Sequence, residues 1–322
     1  MSTAKGADVR FMLIEEATWG TIPATPAGYV LGVSSLSGDW AKQNHIDNPE
    51  LRANRNPQAP VRGNVIVNGS AQIPLHMDSI GWILKHGIGE AADVGTAAPY
   101  AHTSRLGFAD GSAGDIPVGL TVEIGHTGIN QFHSFTGCRV STLGITASSE
   151  GVAMFDVGFV GQDYTQSTSS LDAAPTSYTS TAIDHFGCTI SEGGSSSAIV
   201  TDVSLNLDNG LDSSLYVIGS AGTLGDLPSG VASVKGSLTA LFQNDVLLTK
   251  AENFTESALI LTWTSGSTSL VLTVPELVYE MSSPAVSGSA GVKVNLNFTG
   301  YYANGGTSTA LSAVLTNTVA AY

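Results

Sequence analysis

The sequence has few charges, and most of those charges are acidic. Only 12% of its 322 residues are charged, and 27 acidic residues outnumber 12 basic ones, for a formal net charge of -15. Binding nucleic-acid phosphates requires a basic surface that displaces counterions, so this balance excludes a conventional nucleic-acid binder. It is compatible with a surface past which nucleic acid slides without adhering.

Long apolar runs and cysteines are also scarce. No run approaches the roughly 20 apolar residues that span a bilayer, so we expect no membrane insertion. The N-terminus lacks a basic region followed by an apolar core, which predicts no secretory signal. Only Cys138 and Cys188 occur, and their spacing matches no metal or redox motif. They are predicted to be partly buried free thiols in a reducing compartment.

Signatures of catalysis and of cofactor binding are missing as well. The sequence contains no nucleophile elbow, zinc-protease helix, Walker loop or calcium loop. Six of its seven histidines lie in the first half, at spacings that match no ligand pair. His126 and His133 could approach each other on a hairpin, but scattered surface or hydrogen-bonded histidines explain the pattern better. We therefore predict no catalytic residue, no metal and no cofactor, and a protein that is not an enzyme.

Small and β-favouring residues dominate instead. Glycine occurs 37 times and 42% of the residues are hydrophobic, whereas long charged helical faces are missing. This composition predicts an all-β protein of many short strands and turns. So few charges on a long chain also indicate that much of the surface is covered by other subunits.

Several segments recur in the same order in both halves of the chain. The segment "VNGSAQIPLHMDSIGWILKHGIG" (67–89) matches "VKGSLTALFQNDVLLTKAENF" (234–254) in pattern. Further on, "SSEGVAMFDVGFVGQDY" (148–164) matches "SGSAGVKVNLNFTGYY" (287–302). Upstream of both matches, "GYVLGVSSLSGDW" resembles "HFGCTISEGG" more weakly. We interpret this order as an internal duplication that produced two tandem domains.

The duplication divides the chain into five parts. They are an N-terminal arm (1–27), a first domain (28–165) with long loops at 41–63 and 90–117, a polar linker (166–181), a second domain (182–304) and a C-terminal tail (305–322). Each domain is predicted to be a β-sandwich or half-barrel that carries one short helix. In the first domain, Met77, Ile80, Ile83 and Leu84 have the spacing of such a helix.

Period-two alternation predicts strands with one apolar and one polar face. Val292, Val294, Leu296 and Phe298, for example, alternate with polar residues. The polar faces of these predicted strands carry Asn68, Ser70, Gln72, Ser237, Thr239, Asn295 and Asn297.

Two stretches resemble long-tailed phage major tail proteins, which form the tail tube. "SSPAVSGSAGVKVNLNFTGYYANGG" looks like the closing strand pair of that family, and "LRANRNPQAPVRGNVIVNGSAQIPLHMDSIGWILKHGIG" resembles its loop, strand and helix block. The resemblance implies a virion protein, assembled in the host bacterial cytoplasm, whose rings stack into a hollow tube for DNA. It further implies as partners the tape-measure protein and DNA in the lumen, the tail terminator and the distal tail proteins.

Most members of that family have one tube domain and form hexameric rings. Two domains in one chain therefore predict three chains in each ring. Because an acidic lumen repels DNA, the polar faces named above are candidates to line the lumen; the alternative is that they form the outer solvated surface. A rival interpretation of the whole chain is a secreted or cell-surface β-repeat protein, of the adhesin or surface-layer type.

Half of the six arginines fall in one Pro- and Asn-rich segment that contains Arg52, Arg55 and Arg62. The matching segment of the second half has no arginine, which argues against a role in DNA passage or in every ring contact. We predict that the three arginines bind carboxylates across a subunit contact. The alternative is a solvated loop whose arginines contribute little.

Overall fold

The structure is a computed structural model that describes residues 3–89, 93–107, 116–197, 199–284, 291–302 and 309–322. It confirms an all-β fold with two short α-helices. The α-helices are α1 (Ile80–Gly87) and α2 (Val246–Glu252), and short 3-10 helices cover Gly6–Asp8 and Thr127–Ile129. The strands are β1 (Val9–Glu15), β2 (Gly28–Leu31), β3 (Ser35–Ile46), β4 (Val61–Pro74), β5 (Asp93–Val94), β6 (Tyr100–Arg105), β7 (Leu120–His126), β8 (Gln131–Ala147), β9 (Met154–Gly161), β10 (Asp163–Ser167), β11 (Thr176–Ser177), β12 (Cys188–Glu192), β13 (Ser195–Ser196), β14 (Val200–Asp208), β15 (Ser233–Leu241), β16 (Ser257–Ser265), β17 (Thr268–Tyr279), β18 (Lys293–Gly300) and β19 (Ser312–Asn317).

One sheet runs without interruption through both halves of the chain, and we call it the long sheet. Its strands follow the order β3-β4-β9-β8-β14-β15-β18-β17, and every pair is antiparallel. The junction between the halves is the pairing of β8 with β14, over residues 142–147 and 203–208. The predicted domains are thus joined by backbone hydrogen bonds.

Two outer groups of strands cover the apolar face of the long sheet. In the first half, β11, β2, β1, β7, β8 and β10 lie side by side. Over the second half, the order is β13, β12, β16, β17, β19, β6 and β5, of which β6 and β5 come from the first half of the chain. The long strands β8 and β17 belong both to the long sheet and to an outer group, so each half is a sandwich.

The core lies between these layers and follows from period-two alternation. Along β4, Val67, Ala71 and Ile73 are at most 2% exposed, while Asn68, Ser70 and Gln72 face away from the core. The α1 helix buries Ile80, Ile83 and Leu84, three of the four residues that predicted it. Buried apolar area of this kind is the main source of stability in a domain of this size.

The two halves pair their central strands in the same register. Val67 faces Gly161 in the β4–β9 pair, and Val234 faces Gly300 in the β15–β18 pair. The correspondence continues along all eight residue pairs to Pro74–Met154 and Leu241–Lys293. The preceding strands match too, because Ser37 faces Ser70 just as Ser204 faces Ser237.

The terminal segments differ from the sequence prediction. The predicted arm, 1–27, contains β1, whose residues Phe11, Met12 and Leu13 are at most 1% exposed. The predicted tail, 305–322, contains β19, which pairs with β17 of the second half and β6 of the first. Both segments contribute buried strands.

The predicted long loops also contain regular structure. The segment 41–63 includes the end of β3 and the start of β4, so the loop itself covers only 47–60. The segment 90–117 includes β5 and β6, although 90–92 and 108–115 lie outside the described residues. The predicted linker, 166–181, includes the end of β10 and the short strand β11, which pairs with β2.

Candidate functional site

The structure places the seven candidate lumen residues on one polar face of the long sheet. This face lies opposite the core, and cross-strand contacts between its residues fix their positions. The hydroxyls of Ser37 and Ser70 are 2.7 Å apart, and those of Ser204 and Ser237 are 2.9 Å apart. The seven are Asn68, Ser70 and Gln72 on β4, Ser237 and Thr239 on β15, and Asn295 and Asn297 on β18. Whether this face lines a lumen stays a prediction.

The polar face carries charges of both signs. Asp156 and Asp208 are exposed on it, as are Lys235 and Lys293. Glu280 accepts a hydrogen bond from the side-chain amide of Asn297, at 3.3 Å. The face therefore carries polar and charged side chains on strands of both halves.

The long sheet ends in an open edge at β3. Among the described residues β3 pairs only with β4, and most of its twelve residues are exposed. An unpaired strand edge presents backbone N–H and C=O groups to a further strand. The apolar side of this edge is closed by Trp40, which packs on Phe11, Phe135 and Phe159 with ring centroids 5.3–6.1 Å apart.

The three candidate arginines lie at the end of the β3–β4 hairpin. Arg52 donates to Glu50 at 2.8 Å, and both side chains are about half exposed. Arg55 lies in the same loop and is exposed, whereas Arg62 lies in β4 opposite His45. The structure thus brings the three to one end of one hairpin, and their partners stay a prediction.

The corresponding loop of the second half, 209–232, lies against the first half. The N–H of Val65 donates to the carbonyl of Gly222 at 2.8 Å, and the hydroxyl of Tyr216 donates to the carbonyl of Val65 at 3.1 Å. Gln162 and Arg139 donate to the carbonyls of Leu224 and Leu227. This loop therefore reinforces the β8–β14 junction.

Two buried carboxylates and one partly buried carboxylate were not predicted from the sequence. Glu16 accepts bonds from the N–H groups of Gly20 and Gly137 and from Thr121, at 2.7–2.8 Å. In the first half, Glu123 also binds Arg10 at 3.0 Å.

The third is Glu192, in the second half. It binds Lys250 at 2.7 Å and Ser257 at 2.6 Å. Burial and the nearby Glu192 raise the pKa of Tyr279. Each of the three carboxylates is fully hydrogen-bonded and supports strand packing, and no motif in the sequence marks them.

Histidines and cysteines form no metal site. The rings of His126 and His133 are 5.9 Å apart, as the hairpin interpretation predicts, and burial and His126 together lower the pKa of His133. Within the described ranges, no group of three or more His, Cys, Asp or Glu side chains could hold a metal ion. Cys138 is a buried free thiol and Cys188 is a half-buried one, whose pKa burial raises to about 11.

The fold thus defines an all-β protein with a long polar sheet face and, among the described residues, an unpaired sheet edge at β3. A family model described as phage tail tube protein matches residues 6–300, and the chain belongs to that family. A search of curated proteins gave no match. None of the helices in the described part of the chain has the length and apolarity to cross a membrane.

Proposed function

We propose that this chain is the repeating subunit of a phage tail tube, in which closed rings stack into a hollow cylinder that DNA traverses during ejection. The observation that carries the proposal is the long sheet, which has a continuous polar face and an open edge. A sheet that closes on copies of itself removes its edges, and head-to-tail contacts of this kind produce rings.

The polar face is proposed to line the lumen. DNA passing through a tube must not adhere to its wall. The seven candidate residues are uncharged, and Asp156, Asp208 and Glu280 outnumber Lys235 and Lys293, so this face offers the phosphate backbone no net attraction. The apolar face cannot take this position because the outer strands and the two helices cover it.

Three chains are proposed to form each ring. The shared register of β4–β9 and β15–β18 supports an internal duplication, so each chain would supply two quasi-equivalent domains. A family whose rings contain six domains then requires three copies of this chain.

The proposed partners follow from a tube. Further rings of the same chain would stack above and below, the tape-measure protein and later DNA would occupy the lumen, and the terminator and distal tail proteins would bind the two ends. The finished assembly would belong to the virion, after assembly in the host bacterial cytoplasm.

Negative-stain electron microscopy of the purified protein tests the proposal directly. We expect rings or tubes with a central hole, and mass photometry should give a species of three chains, close to three times the chain mass of 33.0 kDa. A protein that stays monomeric at high concentration would contradict the proposal, and flat two-dimensional arrays would favour a surface-layer subunit.

A further inference from the structure

We infer that the junction between the two halves of the chain is repeated between chains: the open edge of β3 binds residues 281–284 of a second copy, antiparallel, with Asp39 opposite Ser282. This inference rests on the proposed function, because it specifies how the ring closes.

The β8–β14 junction provides the template. Its pairs include Leu143–Leu207 and Ile145–Leu205, which place four apolar side chains on the core side. The N–H of Asn209 donates to the carbonyl of Ser141 at 2.9 Å and continues the ladder beyond β14. The last strand of the first half in the long sheet, β8, thus pairs with a strand of the second half, β14.

The equivalent of β14 in the first half is β3. Ser37 occupies the place of Ser204, since each forms a hydroxyl pair with the equivalent serine of the next strand. Leu205 then corresponds to Gly38, and Asn206 corresponds to Asp39. One edge of β14 pairs with β8, but the equivalent edge of β3 has no partner among the described residues.

The segment of the second half that is equivalent to the end of β8 comes directly after β17. Thr142 faces Gly158, and the N–H of Glu280 donates to the carbonyl of Asn297 at 2.8 Å. Gly158 and Asn297 hold equivalent places, opposite Ser70 and Ser237. Residues 281–284 therefore correspond to 143–146, the part of β8 that binds β14.

The exposure of Met281 fits this assignment. Leu143, in the equivalent place, is 5% exposed beneath the β8–β14 junction, whereas Met281 is 70% exposed. The equivalence puts Met281 opposite Trp40, whose ring already closes the apolar side of β3. Pairing with a second copy would bury this methionine against an aromatic surface, which is favourable.

Backbone polarity fits as well. Because the N–H of Glu280 points to β18, alternation directs the N–H groups of Met281 and Ser283 to the open side. Pro284, which has no N–H, falls where the N–H would point back to β18. The single proline therefore removes no hydrogen bond from the proposed contact.

Charge complementarity supports the same arrangement. Within the chain, the loop 209–232 crosses the β8–β14 junction and contacts Gln162. The residue of the second half that is equivalent to Gln162 is Tyr301, because Gln162 follows Gly161 and Tyr301 follows Gly300. The hydroxyl of Tyr301 donates to Glu256 at 2.9 Å, and its N–H donates to the backbone carbonyl of Glu276 at 3.0 Å. The arginine loop of one copy would thus reach the carboxylates of Glu256 and Glu276 on the next.

Disulfide trapping tests the register. Asp39→Cys and Ser282→Cys are prepared as separate proteins, each also carrying Cys188→Ser, mixed under assembly conditions and oxidised with copper phenanthroline. Alternation makes this pair a non-hydrogen-bonded one, whose Cβ atoms lie about 4.5–5.5 Å apart in antiparallel sheets. We expect a covalent dimer on non-reducing gels from the mixture and none from either protein alone.

The matched control replaces Ser282→Cys by Ser283→Cys, which points to the opposite face of the strand. We expect its dimer yield with Asp39→Cys to be at least about tenfold lower, because side chains on opposite faces cannot form a disulfide. Rings that assemble normally while both mixtures cross-link equally would overturn the inference and leave the tube function standing. If the unsubstituted protein forms no rings at all, the tube function and the inference both fail.

Met281→Asp provides an independent measurement. Since this side chain is exposed in the single chain, we expect an unchanged melting temperature and the loss of rings, whereas Met281→Leu should still assemble. Normal ring formation by Met281→Asp would overturn the inference.

Discussion

At the scale of single residues, Glu15 links the end of β1 to α1. Its carboxylate lies 2.7 Å from the ammonium of Lys85 and 3.0 Å from Nε2 of His86. Burial alone would raise the pKa of Glu15, but hydrogen bonds from His86 and Lys85 outweigh it and lower the pKa to about 2. A carboxyl whose pKa is lowered by folding stabilises the protein above the pKa of the unfolded chain.

We therefore predict that Glu15 stabilises the fold at neutral pH and that this contribution disappears as the pH falls from about 4.5 towards 2. The side chain is 38% exposed, so we expect only about 1–2 kcal/mol after solvent screening. Urea unfolding of the wild type and Glu15→Gln at pH 7 and pH 2.5 measures it. The difference between the two proteins should shrink at low pH, whereas Glu50→Gln, which removes a carboxylate from an exposed pair, should change the free energy of unfolding little at pH 7.

The sequence predicts the polar residues of the long sheet but not the hydrogen-bonded carboxylates of Glu16 and Glu192, which lie outside that sheet. Alternation places Asn68, Ser70 and Gln72 on one face because a strand has a fixed period of two. Nothing local distinguishes Glu16 or Glu192 from an exposed glutamate, because their partners come from distant strands and turns. Residue-level prediction succeeds where the information is periodic and fails where it depends on tertiary contacts.

At the scale of elements, the close approach of β14, β15 and β18 requires a glycine. A Cβ on Gly236 would lie 2.1 Å from the carbonyl oxygen of Ser204 and 2.4 Å from the ring of Phe298. The equivalent Gly69 has the ring of Trp40 at 2.1 Å. Both halves thus use a glycine to seat an aromatic side chain.

We predict that Gly236→Ala lowers the free energy of unfolding by about 2–3 kcal/mol, since neither a backbone oxygen nor a buried ring can move cheaply. Chemical denaturation measures the change. Gly6→Ala is the control, because no atom lies within 4 Å of its added Cβ. Equal stability of the two variants would show that the sheet relaxes around the new methyl group.

The last strand gives a second prediction at this scale. Leu315 in β19 is fully buried, so Leu315→Ala should cost about 3 kcal/mol through lost burial and the cavity it leaves. Thr316→Ala, next to it and half-buried, should cost less than about 1 kcal/mol. Thermal unfolding of both variants checks this, and a small effect of Leu315→Ala would mean that β19 packs loosely.

Some elements could be predicted and others could not. The alternation of β4 and β18 and the helical spacing of α1 are plain in the sequence. The β1 run "FMLI" is buried on both faces and therefore has no period of two, so alternation does not predict a strand there. Most side chains of β3 are exposed on both faces, and "SLSGDWAKQNHI" shows no regular alternation of apolar residues. The second half of this strand forms because it pairs with β4, and its own residues have little strand propensity.

At the scale of the whole molecule, the division into two domains and the duplication stay interpretations, supported by equal strand registers. The family was recognised from residues in the blocks at 51–89 and 282–306. The arginine segment keeps the role proposed for it from the sequence, and the structure adds an orientation, since the hairpin that carries it extends from the open edge of the long sheet.

We predict that the triple variant Arg52→Ala, Arg55→Ala, Arg62→Ala assembles at a roughly tenfold higher protein concentration and dissociates at lower salt. A tenfold change corresponds to a loss of about 1.4 kcal/mol for each subunit contact, and salt screens charge-assisted contacts of this kind. Sedimentation across a salt series measures it. Lys235→Ala removes an exposed charge away from the edge and should assemble normally; normal assembly and salt tolerance of the triple variant would refute arginine docking.

The tether between the two halves has a consequence for the kinetics of ring formation. The β8–β14 junction forms within one chain, where its strands meet at an effective concentration of the order of millimolar rather than at the concentration of the solution. In the proposed ring of three chains, only three partners must collide, whereas separate domains would need six. The rate of ring nucleation should therefore depend on a lower power of the protein concentration. Tubes would then begin to form while the subunit is still scarce in the infected cell.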